Sequence, residues 1–206
     1  YLYLLSHSQV QIQKRALKCI DTFKNPIIHK YFENLDWLLD NVRFRDELTY
    51  LFRTSGDNSV HPDELPVLLP LIIRLLFGRS QIAREGRRSA VIQSLGTVPS
   101  EYIREFIILA TDRIASREFF SEPAAKISSK EIIPFNEKMT ATLQNSYFTV
   151  KDLRRQMGFL SMLEDMLREI RTHVKSAIDV ILESLMFCLY TSQYNVQALT
   201  SAVEGK

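Results

Sequence analysis

Apolar residues recur at intervals of three and four positions from the start of the chain. The first stripe comprises Ile12, Ala16, Leu17, Ile20 and Phe23. This spacing places apolar side chains on one face of an α-helix. Asn25 ends the stripe because it precedes Pro26, and a residue before proline avoids the helical conformation. A second stripe comprises Tyr31, Leu35, Leu38 and Leu39. Since few residues separate the two stripes, the pattern predicts an antiparallel helical hairpin.

Residues 65–77 are apolar nearly all round, which is typical of a helix covered on several sides. We expect Asp63 to cap the start of this helix. Gly78 follows its last apolar residue and predicts a left-handed cap there. Pro70 lacks a backbone N–H, so it predicts a kink or a later start.

Shorter helices are predicted on either side of this segment. Residues 43–53 place Phe44, Leu48, Leu51 and Phe52 on one face. Residues 87–96 use Ala90, Val91 and Leu95. The next helix begins at Ser100 or Pro99, and its inward residues are Ile103, Phe106, Ile107, Ala110 and Ile114. Residues 117–149 are less periodic, and they predict an irregular connector with one short helix.

Two long helices are predicted to close the chain. The first stripe comprises Leu153, Met157, Leu160, Leu163 and Leu167, and the second comprises Val174, Ile178, Ile181, Leu182, Leu185 and Leu189. Five apolar positions of the first hairpin recur here with a shift of 143: Leu17, Ile20, Leu35, Leu38 and Leu39 become Leu160, Leu163, Ile178, Ile181 and Leu182. Gln13 likewise maps onto Gln156, and Asp21 maps onto Glu164.

This internal repeat predicts an all-α fold of the α-α superhelix class, a solenoid of the HEAT or armadillo type. Helical pairs of roughly 40 residues fill the interval between the two hairpins. We expect residues 1–206 to be a fragment of one such solenoid. Its parts are N-terminal helical hairpins at 1–116, an irregular connector at 117–149 and a C-terminal hairpin at 150–206.

Composition excludes several classes of protein. The 26 Lys and Arg nearly balance the 24 Asp and Glu, so overall charge does not indicate a nucleic-acid binder. The only cysteines, Cys19 and Cys188, lie far apart within helical patterns, which favours free thiols over a disulfide framework. The longest apolar run, 65–77, is shorter than the roughly 20 residues of a membrane span. We therefore expect no membrane partner.

No constellation of residues predicts an enzyme. None of His7, His29, His61 and His173 has a second metal ligand at helical spacing, so no metal site is predicted. Neither cysteine has a neighbouring histidine, and no nucleophile motif is present. The glycines do not form a phosphate-binding loop. We expect no catalytic residue, no cofactor and no small-molecule substrate.

Positive charge predominates in one segment of the chain. Five arginines lie between positions 74 and 88 against a single acid, Glu85. The candidate RNA-contacting residues are Arg79, Arg84, Arg87 and Arg88. Guanidinium groups make two-pronged contacts to phosphate without reading base sequence. The alternative is a solvated turn whose charges only face water, and composition favours this alternative.

Several strings resemble a known family. They are LSHSQVQIQKRALKCIDTFKNP, YFENLDWLLDNVRFRDEL, HPDELPVLLPLIIRLLFGR and LRRQMGFLSMLEDMLREI. In this order they are similar to the HEAT-repeat region of the very large U3 small nucleolar RNA-associated proteins, first described as down-regulated in metastasis. The four strings contain 77 of the 206 residues.

The resemblance implies a non-catalytic scaffold of the small-subunit processome, or 90S pre-ribosome. Such a scaffold acts in the nucleolus of the nucleus, in 18S rRNA maturation and 40S subunit assembly. Its implied partners are pre-ribosomal RNA, U3 small nucleolar RNA and other processome proteins. The alternative is a HEAT-repeat adaptor that binds protein partners only, of the nuclear-transport or phosphatase-scaffold type.

Overall fold

The computed structural model of the protein describes residues 1–52, 60–81, 86–111, 114 and 150–204. These residues form helices joined by turns and contain no strand, so the predicted all-α helical-repeat fold is confirmed. The connector predicted at 117–149 lies outside the described residues. Within the described ranges, no helix has the length and apolar composition that crossing a bilayer requires.

The first hairpin forms as the stripes predict. A short 3₁₀ helix, Leu2–Ser6, precedes α1 (Val10–Asp21), α2 (Pro26–Lys30) and α3 (Phe32–Trp37). Asn25 caps α2, because its Oδ1 accepts hydrogen bonds from the N–H groups of Ile27 and Ile28. Leu17, Ile20, Leu35, Leu38 and Leu39 are all buried. Phe23 is the exception, since it is exposed beyond the end of α1.

Polar contacts hold α1 to the two helices that follow it. The Nζ of Lys14 lies 2.8 Å from a carboxylate oxygen of Asp36 in α3. At the other end of α1, Asp21 Oδ1 lies 2.9 Å from Nδ1 of His29 in α2. Both contacts are partly exposed, so they fix the geometry of the hairpin more than they stabilise it.

The next two helices are α4 (Phe44–Leu51) and α5 (Leu65–Ser80). Phe44, Leu48 and Leu51 are buried as predicted. Two expectations for α5 are wrong. Its N-cap is Glu64, one residue after Asp63, and the helix starts at Leu65 despite Pro70 within it. The helix also continues through Gly78 to Ser80, so Gly78 is not a left-handed cap.

Close packing explains the glycine at position 78. A Cβ there would lie 2.6 Å from the carbonyl oxygen of His7 and against the side-chain nitrogen of Gln13. Gln13 is fully buried, and its Nε2 donates to the carbonyl oxygens of Leu5 at 2.7 Å and Leu75 at 3.2 Å. Gly78 therefore lets α5 approach α1 and the 3₁₀ helix closely.

Helices α6 (Arg87–Leu95) and α7 (Ser100–Thr111) follow. Of their predicted inward residues, Ala90 is half-buried. The others are buried: Val91, Leu95, Ile103, Phe106, Ile107, Ala110 and Ile114. Phe106 of α7 packs edge-on against Phe77 of α5, with ring centroids 5.5 Å apart. Aromatic pairs prefer this T-shaped geometry.

The chain divides into two compact units. One comprises Tyr1–Leu109 with Asp165–Ser176, and the other comprises Ala110–Glu164 with Ala177–Lys206. The closing helices are α8 (Val150–Ile170) and α9 (Ile178–Glu204), joined by a 3₁₀ helix, Arg171–Ala177.

The stripes predicted for these closing helices are largely wrong. Leu153, Met157 and Leu167 of α8 are exposed, as are Ile178, Leu182 and Leu189 of α9, while Leu160 and Leu185 are half-buried. Only Leu163, Val174 and Ile181 of the predicted positions are buried. The buried faces instead carry Gln156, Phe159, Met162, Met166, Val180, Ser184, Phe187, Cys188 and Thr191. Each of these two helices thus has two apolar faces, and the three- and four-residue spacing did not show which face is buried.

Candidate nucleic-acid interface

The candidate arginines lie where α5 ends and α6 begins. Arg79 is in the last turn of α5, and Arg87 and Arg88 are the first two residues of α6. Arg84 lies outside the described residues. RNA contact by these four residues stays a prediction, and the surroundings of the three described side chains differ sharply.

Arg79 is buried, with 1% of its surface exposed. Its Nη2 donates a 2.9 Å hydrogen bond to Oδ1 of Asn41. The guanidinium carbon lies 5.5 Å from the centre of the Phe44 ring, a cation–π distance. Arg79 therefore lies inside the fold at the end of α5, where it contacts Asn41 and Phe44.

Arg87 shares both of those partners but is only half-buried. Its Nη2 donates at 2.9 Å to the same Oδ1 of Asn41, and its guanidinium carbon lies 5.8 Å from the Phe44 ring centre. Asn41 therefore accepts a hydrogen bond from both guanidinium groups and holds them beside the Phe44 ring.

Arg88 faces the end of α8. Its Nη1 lies 3.4 Å from Oδ2 of Asp165, and about a third of its side chain (33%) is exposed. Arg168 lies near the same carboxylate, at 4.0 Å from Oδ1. A long, partly exposed ion pair of this kind contributes little stability.

Arg74, the first of the five arginines in the cluster, has internal partners. Its Nη2 lies 2.6 Å from a carboxylate oxygen of Glu105 in α7, and its Nη1 donates to the carbonyl oxygen of Pro70. The ion pair joins α5 to α7, and the hydrogen bond lies within α5. Arg74 belongs to the packing of the helices.

The fold adds a basic residue that the sequence analysis missed. Arg45 of α4 is exposed, and its Nη2 lies 3.0 Å from the position that a Cβ on Gly86 would take. Gly86 precedes α6 with φ of 77°, a left-handed conformation that favours glycine. Arg45 gives no signal in the sequence because Asp46 and Glu47 follow it directly.

A groove of about 650 Å³ runs between α4 and α6 beside these residues. Among the described residues its lining includes Arg45, Thr49, Phe52, Ser89, Gln93 and Thr97. The lining also includes the apolar residues Leu48 and Ala90, so it combines apolar groups with hydroxyl and amide groups that can contact phosphate and sugar oxygens. No three His, Cys, Asp or Glu side chains gather into a possible metal site in the part of the chain that is described.

Both cysteines are free thiols, as predicted. Cys19 is half-buried, whereas Cys188 is buried in α9. Burial raises the pKa of the Cys188 thiol to about 11. Because the thiolate is the reactive form, Cys188 is inert at neutral pH and contributes packing.

The helices and their internal repeat define a helical-repeat protein of the HEAT or armadillo class. Its family follows from comparison with known proteins. The family sequence model described as "U3 small nucleolar RNA-associated protein 20, N-terminal" matches residues 1–205. The chain belongs to this family, which confirms the resemblance seen in its helical strings.

Two curated relatives carry the same name, U3 small nucleolar RNA-associated protein 20. The protein of Saccharomyces cerevisiae is 29% identical over 198 residues, which is 94% of this chain and 7% of the relative. The protein of Schizosaccharomyces pombe is 26% identical over 206 residues, which is 96% of this chain and 8% of the relative. The chain therefore spans less than a tenth of the length of either relative.

Proposed function

We propose that this chain is part of a non-catalytic scaffold of the small-subunit processome, or 90S pre-ribosome. In this role it supports 18S rRNA maturation and 40S subunit assembly in the nucleolus. The observation that supports the proposal most strongly is the family match over residues 1–205, with relatives named for their association with U3 small nucleolar RNA. Helical-repeat proteins bind partners along extended surfaces, which suits a scaffold.

The proposal includes a contact with RNA near the start of α6. Arg87 and Arg88 are its accessible described members, and Arg84 belongs to the same predicted group. Arg79 supports Arg87 through Asn41 and Phe44. Contacts of this kind hold phosphate groups and do not read bases, so they position RNA on the scaffold.

Affinity purification of the full-length protein tests the assignment to the processome. We expect U3 small nucleolar RNA and precursors of 18S rRNA to copurify with it. Recovery of neither RNA, under conditions that keep the particle intact, would overturn the proposal.

Ultraviolet crosslinking in the assembled particle tests the RNA contact itself. The variant Arg84→Gln/Arg87→Gln/Arg88→Gln removes three charges, and glutamine avoids placing a new carboxylate against Asp165. We expect crosslinking of the peptides around α6 to fall by about tenfold, because each neutralised phosphate contact contributes to affinity. The control is Arg154→Gln/Arg155→Gln, which removes two charges from exposed arginines of α8. Equal crosslinking in wild type and triple variant would exclude this contact.

The second candidate is an adaptor that binds protein partners only. The internal partners of Arg79 and Arg88 favour it, since Asn41 and Asp165 already accept from these guanidinium groups. Its fold would be the same, so the crosslinking experiment decides between the two functions. Copurification with proteins but no RNA would support the adaptor.

A further inference from the structure

Helices α4 and α6 are neighbours, and an open groove lies between them. Helix α4 contributes Arg45, Leu48, Thr49 and Phe52 to the lining of this groove. Their spacing of three, one and three positions places them on one face of the helix. Arg45 lies in the first turn of α4, and Phe52 follows its last residue. This face therefore carries a cation at one end of α4 and an aromatic ring at the other.

The cationic end of the groove lies at the start of α6. The Nη2 of Arg45 is 3.0 Å from the position that a Cβ on Gly86 would take, and Gly86 immediately precedes α6. Arg87 and Arg88 are the next two residues of the chain. The groove thus begins where the RNA contact is proposed, and it continues from there between the two helices.

The charge of the lining favours an anion at that end. Arg45 is the one charged side chain among the described residues that line the groove. Further along α6, the Nε2 of Gln93 donates a 3.3 Å hydrogen bond to Oε2 of Glu169. A carboxylate therefore lies next to the α6 wall more than one turn beyond Gly86. A phosphate group fits the Arg45 end and is disfavoured near Glu169.

The hydroxyl groups of the lining are fixed as acceptors. The hydroxyl of Thr49 donates at 3.0 Å to the carbonyl oxygen of Arg45, that of Ser94 at 2.7 Å to Val91, and that of Thr97 at 2.7 Å to Ser94. Since a hydroxyl has a single proton, these oxygens can only accept from a ligand. They match the 2′-hydroxyl of ribose, which can donate, better than phosphate oxygens, which only accept.

The aromatic end of the groove provides a surface for a base. Phe52 is half-buried, and Leu48 and Ala90 add apolar surface beside it. Proteins that bind single-stranded nucleic acid combine a cation for the backbone with aromatic rings on which bases stack. The groove measures about 650 Å³, within the roughly 300–1,000 Å³ of sites that hold small ligands. A short stretch of single strand has room in it.

We propose that the groove between α4 and α6 binds a single-stranded segment of RNA, with a phosphate at Arg45 and an unstacked base against Phe52. This inference rests on the RNA contact proposed above for Arg84, Arg87 and Arg88, and it extends that contact along the groove. Arg45 and Phe52 are its new members, and the hydroxyl groups of the lining contact the ribose.

Ultraviolet crosslinking in the assembled particle, followed by digestion with trypsin and mass spectrometry, tests the groove. Trypsin releases residues 46–53 as one peptide, which contains Phe52. In wild type we expect a nucleotide attached to Phe52. Phe52→Leu keeps an apolar side chain but removes the ring, so crosslinking of this peptide should fall by about tenfold. Phe23→Leu changes an exposed phenylalanine that lines no part of the groove, and it should leave the crosslink unchanged.

A second variant tests the cation and does not touch packing, because Arg45 is exposed. Arg45→Gln should lower crosslinking at Phe52 by about fivefold, since one phosphate contact is lost. Trypsin then releases residues 44–53, which still contain Phe52. Arg45→Lys keeps the charge and should restore most of the signal.

Each other outcome has a distinct meaning. Crosslinks on the peptides around α6 without one at Phe52 would overturn the groove and leave the proposed contact at α6 intact. A crosslink at Tyr50 alone would also overturn the groove, because Tyr50 does not line it. A signal at Phe52 that neither Phe52→Leu nor Arg45→Gln lowers would do the same. Crosslinks in neither region of the wild-type protein would overturn the contact at α6 together with the groove.

Discussion

The first and last helical hairpins share a spacing of apolar residues but bury it differently. Leu35 and Leu39 of the first hairpin are inside, while Ile178 and Leu182, 143 positions later, are exposed. The sequences of the two hairpins give equal reason to expect burial. Helix α3, which carries Leu35, contacts both α1 and α4, whereas the face of α9 that carries Ile178 and Leu182 is exposed. Periodicity thus identifies a face that can be buried, and the neighbours decide whether it is.

The two hairpins also share a buried glutamine. Gln13 and Gln156 occupy equivalent positions and are both inside. Gln13 donates to backbone carbonyls of the 3₁₀ helix and α5, whereas Gln156 donates at 2.9 Å to the hydroxyl of Thr191 in α9. The buried glutamine of the first hairpin therefore connects α1 to elements outside that hairpin. The buried glutamine of the last hairpin connects α8 to its own partner helix, α9.

Truncating the equivalent leucines, Leu39 and Leu182, should give the largest difference in stability between the two hairpins. We expect Leu39→Ala to lower the free energy of unfolding by about 2–5 kcal/mol, because it removes buried methyl groups and leaves a cavity. Leu182→Ala, the same change at the equivalent position, should cost less than about 0.5 kcal/mol in the 206-residue chain. Urea unfolding of both variants measures the difference. Equal losses would show that the exposed face of α9 is packed in solution.

The sequence predicted the positions of the helices far better than it predicted which face of each helix is buried. Nearly every predicted helix exists, because three- and four-residue spacing is a local property of the chain. The stripe of α8 failed because apolar residues also occupy positions such as Phe159, Met162 and Met166. With two apolar faces available, only tertiary packing selects the one that is buried.

RNA contact stays a prediction, and the sequence reveals the arginine cluster without revealing the surroundings of each side chain. The excess of arginine between positions 74 and 88 is visible in the sequence, and the structure places three of its members at one junction of helices. Nothing local indicates that Arg79 is buried, because Asn41 and Phe44 come from a distant part of the chain. Arg45 was missed because Asp46 and Glu47 follow it directly, so no excess of positive charge is visible there.

Removing the buried glutamines should give the next largest effect. We expect Gln13→Ala to cost about 2–3 kcal/mol, since two hydrogen bonds are lost and two buried carbonyl oxygens lose a donor. Gln156→Ala should cost about 1–2 kcal/mol, because a single hydrogen bond to Thr191 is lost. Gln11→Ala is the exposed control on α1. If Gln156→Ala proved the more damaging change, the assigned partners of Gln13 would be wrong.

Adding one methyl group at Gly78 should test the close approach of α5 to α1. Alanine normally stabilises a helix relative to glycine. Here we expect Gly78→Ala to destabilise by about 1–2 kcal/mol, because the new Cβ meets the carbonyl oxygen of His7. Gly96→Ala is a graded control, since its Cβ would meet the nearest atom only at 3.2 Å. Thermal unfolding of both variants gives the comparison. A stabilised Gly78→Ala variant would show that α5 and the 3₁₀ helix lie farther apart.

The smallest expected effect concerns Glu64, an acidic residue that contacts the first hairpin. Glu64, the N-cap of α5, accepts two 2.8 Å hydrogen bonds from Lys30 Nζ and one of 2.7 Å from the Tyr31 hydroxyl. The hydrogen bond from Lys30, followed by that from Tyr31, holds the pKa of Glu64 below its ordinary value of 4.5. The unfolded chain therefore takes up this proton first as pH falls.

The contribution of Glu64 is accordingly complete above pH 4.5 and is lost as pH falls toward the lowered pKa of the folded state. We expect Glu64→Gln to unfold more easily than wild type near neutral pH and to approach it in acid. Urea unfolding between pH 7 and about pH 3.5 measures this convergence. Glu33→Gln removes an exposed carboxylate of α3 and controls for net charge. If the difference in unfolding free energy between Glu64→Gln and wild type stayed constant in acid, Glu64 would act by packing. Only an ionised carboxylate that accepts from Lys30 and Tyr31 makes this difference depend on pH.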